Sequence, residues 1–492
     1  MNLADERLKE LDNPSLTADQ RILLRCRVAA DFIHKGQYEA AREALGELWQ
    51  GMGERPAVKK LPPVVAAEVL LQCGALTGLL GSASNVSGIQ ERAQDLLTEA
   101  IRKFQSQGQY RKVSEAQCEL GACYWRLGAY DEARLVMREA LKPLTETDVE
   151  LKAKILIRLT LVEVWENRYH EALSILKDAE PVFESANDAL KGRWHGQRAI
   201  ILLKLATTES RPDYADNAII EFTAAIYHYE QAKHERYCAT NSNNLAFLLY
   251  KLDRYQEAHE YLDRAQLILT KLKDTGILAQ VDETRARVLV AEKKYQEAGR
   301  IIAGVVKVFD KSGELALLAA ALTVQGIVWA RLCNFQSSIN ILHQAMKVAQ
   351  ECGAPVNAGQ AALTLIEEHG AMRLHETELY HAYLRADALL KSTQDVEDVA
   401  RLRACSRIVM RRLSGVRLRD KNFTLQGAVR DFEARFIEQA LEDAEGSVTR
   451  AAEMLGMKYQ TLANLLKQRH KRLQKKRTPA KKRKQSIIKE PE

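Results

Sequence analysis

Near the end of this 492-residue chain, Lys458, Tyr459, Gln460, Ala463, Asn464 and Lys467 recur with the periodicity of one helical face. These side chains suit the edge of a nucleic-acid base pair better than covalent catalysis. Gln and Asn can each pair bidentately with adenine in the major groove, while Lys meets phosphate or guanine. Gln460 and Asn464, one helical turn apart, are the candidate base readers.

Such a face must be held by a second helix. Ala451, Ala452 and Leu455 give a short first helix one apolar stripe, and Leu462, Leu465 and Leu466 give a second helix another. Gly456 lies between them, where a residue without Cβ suits a left-handed turn, and Met457 is placed to fill the corner. The small Ala451 and Ala452 permit close helix crossing.

The run G-S-V-T-R-A-A-E-M-L-G-M-K-Y-Q-T-L over residues 446–462 resembles the C-terminal helix-turn-helix of the Fis family, which also ends bacterial NtrC-type regulators. The resemblance covers about 425–473. It implies that a preceding helix over 427–445 dimerises, with Val429, Phe432, Phe436, Ile437 and Leu441 as its apolar stripe. The expected DNA-binding set is Thr449, Arg450, Lys458, Tyr459, Gln460, Thr461, Asn464, Lys467, Arg469, Lys471 and Arg472. The family often carries Arg where this chain has Tyr459, Gln460 and Asn464, so the base preference does not carry over.

Charge supports that location. Residues 446–492 hold 14 Lys/Arg against 3 Asp/Glu, a net of +11, whereas residues 1–445 hold 58 against 62. Lys467 to Lys484 contains eleven basic residues and no acid, reading as a disordered arm for phosphates that adds salt-sensitive affinity.

Other chemistry finds little support. No G-x-x-x-x-G-K-[ST] occurs, so the nucleotide-hydrolysing module of NtrC-type activators is not expected. The histidines form no H-E-x-x-H, and His375 and His381 lie on different helical faces. Eight scattered cysteines without a C-x-x-C read as reduced core residues. No catalytic residue, metal or cofactor is expected. With no run of about 18 apolar residues and an acidic start, the sequence predicts no membrane span or signal peptide, hence a cytoplasmic protein.

The rest of the chain repeats. Within residues 116–141, Leu120, Gly121, Tyr124, Gly128, Tyr130, Ala133 and Ala140 stand where the tetratricopeptide repeat has its signature residues, and the segment resembles that family. The small residue of each second helix recurs as Ala41, Ala93, Ala133, Ala172, Ala218, Ala258, Ala298 and Ser338. The period is near 40, and the two longer steps are assigned to inserted loops, one of them T-T-E-S-R-P-D after Ala206.

Each such helix pair is amphipathic and needs neighbours to bury its face. The expected fold is therefore all-α: a tetratricopeptide-like solenoid over 1–413 ending in a capping helix, a linker at 414–424, the helix-turn-helix at 425–473 and the tail at 474–492. The first helices line the concave face, which places Trp125, Arg126, Lys154, Arg158, Trp165, Asn243, Asn244, Tyr250, Lys251 and Arg331 in a groove for a peptide or protein effector. The expected function is a bacterial, sequence-specific transcriptional regulator binding double-stranded DNA as a homodimer. The alternative is an interaction scaffold whose basic end tethers it to any nucleic acid.

Overall fold

A computed structural model describes residues 15–34, 37–51, 54–84, 88–393, 395–413 and 424–476. Among these there are helices and turns but no strand. The polar lead-in at 1–14, the linker at 414–423 and the tail from 477 lie outside the described residues. The chain divides into two compact units, one of residues 1–313 with 394–396, the other of 314–393 with 397–492.

Among the described residues, the first unit holds seven helical hairpins: α1 (Ala18–His34) with α2 (Tyr38–Leu45), α3 (Pro63–Ser84) with α4 (Ile89–Ser106), α5 (Tyr110–Arg126) with α6 (Tyr130–Leu141), α7 (Val149–Trp165) with α8 (Tyr169–Asp178) and the short α9 (Glu180–Glu184), α10 (Asp188–Glu209) with α11 (Pro212–Gln231), α12 (Glu235–Lys251) with α13 (Tyr255–Leu272), and α14 (Thr275–Ala291) with α15 (Tyr295–Ser312). The second unit holds α16 (Leu315–Arg331) with α17 (Phe335–Glu351), α18 (Pro355–His369) with α19 (Glu376–Leu389), α20 (Val396–Leu413), α21 (Leu425–Asp443), α22 (Val448–Met454) and α23 (Tyr459–Gln468).

Helix contact explains the repeat. All eight small residues of the series, Ala41 through Ser338, are fully buried. At these points the paired helices touch, and a larger side chain has no room. Gly121 makes the same point from the first helix, since a Cβ there would come within 2.7 Å of the Met137 side chain. Hairpin turns close on left-handed residues, among them Gly128, Asn167, Asp253, Lys293 and Cys333.

Two expectations are corrected. The residues inserted after Ala206 lengthen helices: α10 runs 22 residues to Glu209 and α11 begins at Pro212, leaving only a short turn. The window Pro63–Gly81 of α3 is long and apolar enough to cross a membrane, with 78% of it buried inside the protein. Glu68, Gln72 and Thr77 interrupt the apolar run, and their polar atoms are satisfied within the packed helix: Gln72 Nε2 donates to Glu68 Oε1 (3.1 Å) and Thr77 Oγ1 to Cys73 O (2.7 Å).

The cysteines are free. Six are buried, Cys352 is half-buried and Cys333 is exposed at a turn.

Candidate nucleic-acid interface

The C-terminal helices form a core of their own. Ala434, Ile437, Ala440 and Leu441 of α21, with Ala444 just past its end, pack with Val448, Ala451 and Ala452 of α22, Leu462 and Leu466 of α23, and Leu473 beyond it. Leu455, Met457 and Leu465 pack at its edge.

Local chemistry sets each boundary. Thr424 caps α21 by accepting from Gly427 N (3.1 Å). Ser447 caps α22, accepting from Arg450 N at 3.5 Å. Gly456 (φ +67°) ends α22; its N–H donates to Glu453 O at 3.0 Å while Met457 N–H reaches Ala452 O at 2.9 Å. That paired bonding satisfies two orphan carbonyls of the helix end. The chain turns there, and Lys458 becomes the residue preceding α23.

With Leu462 and Leu466 turned into the core, the opposite face of α23 meets solvent. Thr449, Arg450, Lys458, Tyr459, Gln460, Thr461, Asn464, Lys467, Arg469, Lys471 and Arg472 are all exposed, and Ala463 is half-buried. Gln460, Thr461, Asn464, Leu465, Gln468 and Arg469 line one open depression of about 500 Å³. Gln468 belongs to this face and was missed by the sequence reading; its i+4 spacing from Asn464 was the available signal.

Two features were not legible in the sequence. His470 is 3% exposed and its Nε2 lies 2.9 Å from Glu433 Oε2, with Arg469 Nη1 3.2 Å from the same oxygen. The end of α23 is thereby tied back to α21. The boundary of the tail is also corrected. Residues 471–476 form a 3₁₀ turn in which Gln474 Nε2 donates to Leu466 O (3.0 Å) and Lys476 pairs with Glu438 (2.6 Å) and Glu442 (2.5 Å). Residues 474–476 therefore belong to the folded domain.

The stripe on α21 splits. Ile437 and Leu441 enter the core, whereas Val429, Phe432 and Phe436 are more than half exposed, the two rings meeting edge to face with centroids 4.9 Å apart. At about 1.5 Å per residue the 19-residue α21 greatly outreaches the 7-residue α22, so only its C-terminal half is covered.

The expected groove residues fare unevenly. Trp125, Arg126, Lys154 and Arg158 line one cavity of about 320 Å³ in the first unit. Trp165 is exposed and meets Trp125 edge to face at 5.9 Å. Asn243, Asn244, Tyr250 and Lys251 lie on α12 but do not line that cavity. Arg331, in the second unit, pairs with Glu368 at 2.8 Å. The Lys154 and Arg158 charges are already met: Glu119 receives Lys154 at 2.8 Å and Arg158 at 3.0 Å. Burial alone would raise the Glu119 pKa, but these two cations outweigh it and hold the carboxyl well below the usual range.

No group of three or more His, Cys, Asp or Glu able to hold a metal occurs among the described residues.

Helix-turn-helix geometry with an exposed polar second helix defines a DNA-binding regulatory domain. Residues 428–468 match the family described as bacterial regulatory protein, Fis family, so this segment is a Fis-family helix-turn-helix. No curated protein matches the chain. Among solved structures, the apo form of RapI is similar at 14% identity, over 78% of this chain and 98% of that one, with a TM-score of 0.51. The apo quorum sensor NprR from B. thuringiensis is similar at 15% identity over 70% and 92% (TM-score 0.49). A tetratricopeptide repeat protein from Parabacteroides merdae ATCC 43184 is similar at 14% over 60% and 98% (0.41). The likeness to RapI shows the fold of the array alone.

Proposed function

We propose that this protein is a cytoplasmic, sequence-specific transcriptional regulator that binds duplex DNA as a homodimer, its helical array receiving a peptide or protein effector. The observation that carries this reading is the two-sidedness of α23: Leu462 and Leu466 are buried while Gln460 and Asn464 project on the solvent face. In this reading Gln460 and Asn464 contact bases, with Thr449, Arg450, Lys458 and Lys467 on the phosphates. Tyr459, Thr461, Arg469, Lys471 and Arg472 border the same surface.

The uncovered Val429, Phe432 and Phe436 supply the dimer contact, because adjacent large apolar side chains left in water favour association. A two-fold dimer reads a palindrome with half-sites about one helical turn apart.

The rival reading, a scaffold tethered by charge, is favoured by the net +11 of residues 446–492. Selection from a random duplex pool at near-physiological salt separates the two. One enriched palindrome, lost with Gln460→Ala/Asn464→Ala, supports the regulator. Binding without enrichment, equal for DNA and RNA and falling smoothly with salt, supports the scaffold.

A further inference from the structure

The cavity of the first unit is built by six successive first helices, since α1, α3, α5, α7, α10 and α12 all contribute to its lining. A ligand there meets several repeats at once. A short extended chain fits that arrangement better than a compact metabolite recognised by one or two elements.

The lining is electropositive. Arg126, Lys154, Arg158, Arg193 and Arg236 face Glu115 and Glu119, five cations against two carboxylates. These charges do not all remain free. Lys154 and Arg158 share Glu119, Arg236 pairs with Asp274 at 2.6 Å, and Glu115 takes Lys112 at 3.1 Å. Arg126 and Arg193 have no carboxylate partner among the described residues.

Arg126 is the more telling of the two: it is half-buried, burial disfavours its charged form and Arg158 adds repulsion, which the neighbouring Cys123 thiol and Glu119 only partly offset. An unpaired cation in such a place is costly to keep, and an incoming anion relieves that cost while making charge-assisted hydrogen bonds. Beside it Trp125, itself packed edge to face on Trp165, offers an aromatic wall, and Tyr38 and Tyr237 add two more rings to the lining.

We propose that this cavity binds a short acidic peptide, one carboxylate seated on Arg126 and an apolar or aromatic side chain lying against Trp125. This deepens the effector reading and rests on it. Lys154 and Arg158 are assigned a different part: with Glu119 as their resident anion they hold the cavity wall and do not receive the ligand.

The test uses the full chain and two fluorescein-labelled heptapeptide pools, one with two fixed Glu and one fixed Phe, the other with Lys in place of Glu, read by fluorescence anisotropy. The acidic pool binds and the basic pool does not. Arg126→Gln, which breaks no ion pair with a carboxylate among the described residues, weakens acidic-pool binding by roughly tenfold or more, and Arg193→Gln weakens it less. Circular dichroism melts of both variants, unchanged from the native chain, establish that the fold is intact. Equal binding of the two pools, or acidic-pool binding indifferent to Arg126→Gln, overturns the proposal while leaving an effector site elsewhere in the array open. Binding of neither pool overturns it as well, and selection of an operator by the same preparation tells that outcome apart from failure of the regulator reading.

Discussion

His470 Nε2 lies 2.9 Å from Glu433 Oε2, with the imidazole almost wholly buried, so the end of the DNA-facing helix α23 is fastened to the long helix α21. The position of Gln460 and Asn464 relative to any dimer axis on α21 depends on this link.

Replacing His470 with Ala leaves Glu433 short of its main partner and is expected to cost about 2 kcal/mol locally. Hydrogen exchange of residues 425–476 in the full chain measures it. The bond from His470, with help from Arg469, outweighs the opposing effect of burial and holds the Glu433 carboxyl below its usual range. A depressed carboxylate stabilises the fold above its unfolded pKa, and that contribution disappears as pH falls through the folded value. Protection of this segment should therefore decline below about pH 4.5, the ordinary glutamate value, and Glu433→Gln should remove that part of the decline.

Gly456 turns the chain at φ +67° with nothing within 4 Å of where its Cβ would stand. Only backbone strain opposes a side chain here, so Gly456→Ala is expected to cost about 1 kcal/mol. Thermal unfolding monitored at the C-terminal domain checks this; a change below about 0.3 kcal/mol would mean the turn tolerates alanine.

Phe432 and Phe436 are 56% and 52% exposed. If they carry the dimer contact, Phe432→Ser/Phe436→Ser yields a monomer by light scattering and lowers operator affinity about a hundredfold through loss of the second half-site. A doubly substituted chain that remains dimeric places the contact elsewhere.

Among the described residues, Glu119 is the one carboxylate that pairs with Lys154 and Arg158, and its side chain is 7% exposed. Glu119→Gln leaves two cations side by side and is expected to destabilise the array by on the order of 3 kcal/mol. Denaturant titration reads the loss. Because the carboxyl is held far below the usual range by those cations against the effect of burial, its contribution persists above the ordinary glutamate value. It is lost progressively as pH falls from the ordinary glutamate value toward the far lower folded one, and the variant should lack that acid limb.

Much was legible in the residues themselves because it is local or periodic. A small residue every 40 or so positions meant helix contact, and all eight are buried. The glycine at 456 meant a left-handed turn, and Val396–Leu413 emerged as one helix.

What periodicity could not give was the identity of distant partners. Glu119 lies 35 residues before Lys154, and Glu433 lies 37 before His470. Nothing in either local sequence announces those pairs, so Lys154 and Arg158 looked free to hold a ligand. The stripe on α21 looked continuous because a periodic pattern records which face is apolar. How far a neighbour extends along that face is fixed only when the shorter α22 packs on it, covering Ile437 and Leu441 and leaving Val429, Phe432 and Phe436 in water. The sequence by itself determined the helices, their apolar faces and the turn that presents α23. Only the tertiary structure decided which charges were already spoken for and which apolar surface was left over, because both depend on what long-range packing brings alongside.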